Sequence, residues 1–129
     1  MTDESTTTPA SEVAPASPAA VPPRLVPRIF EAERASGPSG AIVRGAELEL
    51  AAAVAHRQAA KDVVVCGEVT DANRRVALQV ESAVGPPSRP QFPHKRAGPL
   101  SLPHFHQLNR SPDGHSFYET DKRKSRNRP

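Results

Sequence analysis

Asp62-Val63-Val64-Val65-Cys66-Gly67 is the stretch from which the fold is read. A short apolar run, β-branched through its valines and ended by a glycine, fits a strand buried on both faces. Upstream, residues 47–60 are rich in Ala, Glu, Leu and Gln, with Leu50 and Val54 on one side, which predicts a helix. Downstream, Thr70 reads as an N-cap with Asp71 in the first turn. Ala72, Val76, Ala77, Val80, Ala83 and Val84 then recur at helical spacing up to Gly85, a natural C′ residue, so that Arg74, Arg75 and Glu81 should point away from the stripe. The unit is helix, strand, helix, and the expected fold class is a small α/β (α+β) domain built on it.

Composition sets the limits of that domain. The chain has 129 residues, about one small domain, and fifteen prolines. Seven of them fall in residues 1–39 among Thr, Ser and Ala, a mixture that cannot bury enough apolar surface to offset its ordering entropy. Residues 1–39 are therefore expected to be a disordered, Pro-rich arm. No proline lies between Ser39 and Gly85, and the other eight run from Pro86 onward, which implies an irregular or extended C-terminal region. The expected division is arm 1–39, domain 40–120 and basic disordered tail 121–129.

Charge is unevenly placed. Residues 1–39 carry five acids and three bases, residues 40–85 six and five, and residues 86–129 three and nine, so the last third holds a net +6. Lys122, Arg123, Lys124, Arg126 and Arg128 form a run that attracts nucleic acid, an anionic membrane or an acidic partner, or is simply a solvated tail. Asp3 and Glu4 stand where a secretory signal needs bases, and prolines interrupt the following stretch. No span is long enough to cross a bilayer, and one cysteine rules out an internal disulfide. Synthesis in the cytoplasm follows, with export by a signal-peptide-independent route left open.

The strand-glycine-helix sequence invites a nucleotide-binding reading that its residues do not support. One glycine makes neither a GxGxxG fingerprint nor a P-loop, and Glu68 and Asp71 sit where a phosphate needs donors. Cys66 is read as a small buried apolar residue, since Glu68 and Asp71 disfavour a thiolate.

Chemistry concentrates later in the chain. Four of the five histidines (His94, His104, His106, His115) and three of the five aromatics (Phe105, Phe117, Tyr118) lie beyond residue 93. Arg110-Ser111-Pro112-Asp113-Gly114 has strong turn chemistry between two short aromatic segments, which predicts a C-terminal β-hairpin over residues 102–120. Alternation puts His104 and His106 on one face, Phe105 and Gln107 on the other. On the return strand His115, Phe117 and Glu119 share a face, and whether His115 meets the first pair depends on register.

Three functional readings fit these residues. His104, His106 and His115 can form a three-nitrogen zinc site with an open position for water. Alternatively, two imidazoles serve as general base and acid for RNA cleavage at the 2′-hydroxyl, with Lys95, Arg96 or Arg110 stabilising the phosphorane and Tyr118 orienting the substrate. In the third, the hairpin binds nucleic acid without cleaving it, Phe105 or Tyr118 stacking on bases. A hairpin that merely completes the core stands beside all three. The reading adopted is metal-independent phosphodiester cleavage with His104, His106 and His115 catalytic and Lys95, Arg96, Arg110 and Tyr118 binding. No cofactor is expected, and RNA is preferred over DNA as partner; a non-catalytic nucleic-acid or protein-binding module is the alternative.

The order of arm, Ala-rich helix, "DVVVCG" strand, helix, "PHFH", "GHSFYE" and basic tail resembles the C-terminal tip modules of bacterial polymorphic toxins over about residues 45–126. That resemblance implies a nuclease-type toxin, delivered by a larger particle or secretion system and neutralised by an immunity-type protein. It transfers no catalytic residue.

Overall fold

In the computed structural model the described residues are 26–92 and 98–127. The Val63-Val64-Val65 run forms the centre of a five-stranded mixed sheet. The elements are β1 (Arg28–Arg34), β2 (Ile42–Leu48), α1 (Leu50–Gln58), β3 (Val63–Cys66), α2 (Thr70–Val84), β4 (His104–Phe105) and β5 (Ser116–Tyr118). The sheet order is β2-β1-β3-β5-β4. β3 pairs antiparallel with β1 and parallel with β5, and β4 closes the far edge antiparallel to β5. All four β3 side chains are buried, as a strand covered on both faces requires.

The α+β class and the helix-strand-helix unit are as read from the sequence, but the limits move. β1 lies inside the stretch expected to be the arm, so the folded part begins before residue 40; residues 1–25 of that expected arm lie outside the described residues. Helix α1 starts at Leu50, because Glu47 and Leu48 pair with Phe30 and Ile29 across the β1–β2 hairpin. Thr70 caps nothing; its hydroxyl instead accepts the Asp121 backbone N–H at 2.9 Å. Gly85 follows α2 in extended backbone, and a Cβ there would collide with the Gln107 side chain. It is glycine for close approach, not for a left-handed turn.

Two clusters cover the sheet. On the helix side Ile29, Val63, Val65, Ala53, Ala77, Val80, Phe105 and Tyr118 pack together. On the other side Ile42, Val64, Cys66, Leu102 and Phe117 do. The buried stripe of α2 is Asn73, Ala77, Val80 and Glu81. It is therefore rotated from the purely apolar stripe of the sequence reading, and Glu81 points inward instead of away.

Through residue 127 the basic segment is docked and is not a free tail. Arg126 is bridged to Val43 of β2, its N–H donating to the Ile42 carbonyl at 2.8 Å. Its neighbour Ser125 donates to Glu119 Oε2 at 2.5 Å and lies 3.3 Å from Cys66 Sγ on β3. Adjacent residues thus touch strands that β1 separates, which requires the sheet to curl around this face. Among the described residues no helix is long and apolar enough to cross a membrane.

Candidate functional site

The β4–β5 register decides where the histidines go. His104 stands opposite Phe117 and Phe105 opposite Ser116, and residues opposite each other in an antiparallel pair share a face. Alternation then carries His115 to the side of His104, away from the helices. The His104 and His115 rings meet edge to face with centroids 4.7 Å apart, and His106 lies 6.2 Å from His104. Phe117 packs against both His104 and His115, at 5.5 and 5.2 Å. The three imidazoles line one cleft of about 240 Å³ together with Arg34, Gln91 and Arg110. Among the described residues lining it there is no carboxylate, and the guanidinium groups of Arg34 and Arg110 are its full charges.

Each ring has an acceptor at Nδ1. His115 Nδ1 lies 3.3 Å from Asp62 Oδ1, and the same oxygen accepts the His115 backbone N–H at 2.7 Å. His106 Nδ1 faces the Gln107 carbonyl at 2.7 Å, and His104 Nδ1 faces the Leu102 carbonyl at 3.4 Å. Carbonyl and carboxylate oxygens only accept, so they select the Nδ1–H tautomer and leave Nε2 as the nitrogen that exchanges a proton. Burial pushes the Asp62 carboxyl up, but the His115 hydrogen bonds and charge outweigh it and hold it below its ordinary value. Asp62 is therefore an ionised carboxylate near neutral pH, and it orients the His115 ring.

A buried polar network fixes this arrangement from behind. Arg57 and Glu81, both fully buried, form a two-point ion pair at 2.5 and 3.1 Å. Glu81 also accepts from Ser116 Oγ at 2.5 Å and from Gln107 Nε2 at 2.7 Å, while Arg57 donates to the Asp113 carbonyl at 2.9 Å. These contacts tie both helices to the start of the hairpin loop and to the residues on either side of His115. Gly114, at φ +114, sits so close to Arg57 that a Cβ would come within 2.6 Å of Nη1. In the same loop Arg110 adopts φ +62, a conformation costly for any residue with a side chain, at the rim of the cleft.

Four of the seven expected site residues (His104, His106, His115 and Arg110) come together here. Tyr118 does not: it points to the helix side, buried against Phe105, because it is one residue out of phase with Phe117. Lys95 and Arg96, with His94, lie outside the described residues. Asp62, Arg34 and Gln91 were missed. Asp62 stands 53 residues from His115 and reaches it only because β3 and β5 are parallel neighbours. Among the described residues, no set of three or more His, Cys, Asp or Glu is arranged to hold a metal ion, so the three-nitrogen zinc arrangement is not formed.

Cys66 lines a separate cleft with Arg44, Glu119 and Ser125, and no described histidine borders it. Burial pushes its thiol up to about 11. At pH 8 the thiolate fraction is then about a hundredfold below that of an ordinary cysteine. Alkylation by iodoacetamide is expected to be slower in the native protein than in urea by at least that factor; equal rates would show that the thiol is not held in this environment.

No family model, curated protein or solved structure matches the chain.

Proposed function

We propose that this chain is a toxin-tip-like ribonuclease domain that cleaves phosphodiester bonds by histidine acid–base catalysis. The observation that carries the reading is the convergence of His104, His106 and His115 with Arg34 and Arg110 around one small cleft, with Asp62 behind His115. His115 is the general base: Asp62 orients it and offsets the charge it gains. The acid must reach the opposite side of the phosphate. His104 is in ring contact with His115, at 4.7 Å, and His106 lies 6.2 Å from His104, ring centre to ring centre, so the acid is assigned to His106.

In the reaction His115 Nε2 takes the 2′-hydroxyl proton as that oxygen attacks the adjacent phosphorus. The bond to the 5′-oxygen breaks, and His106 delivers a proton to the leaving oxygen. The products are a 2′,3′-cyclic phosphate and a 5′-hydroxyl. Arg110 and Arg34 offset charge growing on the non-bridging oxygens. The nucleophile belongs to the substrate, so RNA is the partner and DNA is not. The toxin-tip layout adds an immunity-type protein partner and delivery without a signal peptide to this reading.

The test compares RNA and DNA oligonucleotides of one sequence in the presence of a chelator. RNA is expected to yield the cyclic phosphate while DNA stays intact; cleavage of both, or of neither, overturns the proposal. Asp62→Asn is expected to lower RNA cleavage about 10- to 100-fold, the usual loss when a partner that orients a functional imidazole is removed. An unchanged rate would remove Asp62 from the mechanism.

A further inference from the structure

Phe92 is 85% exposed, more than any other large apolar side chain among the described residues. A single exposed ring is ordinary on a protein surface; its setting is what gives this one a use. Its predecessor Gln91 is paired with His104 by backbone hydrogen bonds of 2.8 and 3.1 Å and lines the histidine cleft. Phe92 instead lines the adjoining groove, of about 540 Å³, with Arg74, Pro103, Lys122 and Arg123. Pro103 lies between Leu102 and His104, which both line the histidine cleft, so cleft and groove share a wall only a few residues thick.

The groove carries net positive charge. Arg74 is engaged by the Asp71 carboxylate at 3.2 Å, whereas the Arg123 guanidinium donates to the neutral Ser101 carbonyl at 2.7 Å. Lys122 is exposed beside it, and Asp121 is the remaining acid in the lining. Among the described residues Phe92 is the one exposed large apolar residue in its lining, the second aromatic there, Tyr118, being buried. One exposed ring beside two cations suits a flat base and its phosphate.

We infer that this groove is a base-stacking subsite for single-stranded RNA, with Phe92 under the base of a nucleotide flanking the scissile one and Lys122 and Arg123 at its phosphate. The inference rests on the ribonuclease reading for its substrate, but its test does not need cleavage. A fluorescein-labelled RNA of about 12 nucleotides, methylated at every 2′-hydroxyl, is titrated against the full chain and followed by anisotropy. Phe92→Ala is expected to weaken binding about tenfold, Phe92→Trp to restore it and Phe92→Leu not to. Unchanged melting temperatures confirm that exposed Phe92 holds no part of the fold. Equal binding by wild type and Phe92→Ala, full restoration by Phe92→Leu, or no binding by wild type overturns the subsite. Loss of the cleavage reading alone would leave these binding results intact.

Discussion

His115→Ala is expected to reduce RNA cleavage by about 10²- to 10⁴-fold, while anisotropy with the methylated oligonucleotide still shows binding. The separation follows from position. The His115 ring is half-buried against Phe117, whereas Arg110 and Arg34, to which the phosphate contacts are assigned, are exposed. His106→Ala should lose cleavage to a similar extent, because base and acid act in one step and neither substitutes for the other. A substrate with a good leaving group at the 5′-oxygen separates the roles: it should recover much of the His106→Ala rate and little of the His115→Ala rate. If both variants cleave like wild type, histidine acid–base catalysis is excluded.

How much of this could be read in the chain depended on how local each determinant is. The β3 strand was legible because three adjacent valines carry their own signal, and α2 because its period spans four turns. β1 was not, since Arg28–Arg34 follows Pro27 in a proline-rich stretch and alternates charged and apolar residues without a clean inside face. Its place in the middle of the sheet comes from pairing with β2 and β3. The tail was misread for a related reason: five cations in nine residues look solvated, but it is docked through backbone atoms, the small Ser125 and the Arg123 guanidinium, whose acceptors lie far away in the sequence. Within the site, the shared face of His104 and His106 is local geometry, while the arrival of His115 depends on register. Asp62 comes from across the sheet and leaves no mark near the hairpin.

Glu81→Ala is expected to cost about 3–5 kcal/mol, the loss when one member of a buried ion pair is removed. The side chain is fully buried. Without it the Arg57 guanidinium is left as a buried charge, and Gln107 and Ser116 each lose an acceptor. A domain of this size has about 5–15 kcal/mol in total, and each kcal/mol is worth about 4–8 °C. The melting temperature should therefore fall by about 12–40 °C, measured by circular dichroism. Cleavage should fail with it, because Asp113 and Ser116 frame His115. Replacing both partners, Arg57→Met with Glu81→Leu, should recover part of the loss by removing the stranded charge. Acid provides an independent check. Burial alone would raise the Glu81 carboxyl, but the hydrogen bonds from Arg57, Ser116 and Gln107 hold it below its ordinary value. A group lowered on folding stabilises above its unfolded pKa, about 4.3, and loses that contribution as pH falls through the folded value. Wild-type stability should thus decline below about pH 4.3, and Glu81→Gln, which cannot titrate, should decline less over the same range. A Glu81→Ala protein that melts with wild type would mean that the apolar clusters alone hold the hairpin, and the positioning of His115 would then have to come from Asp62.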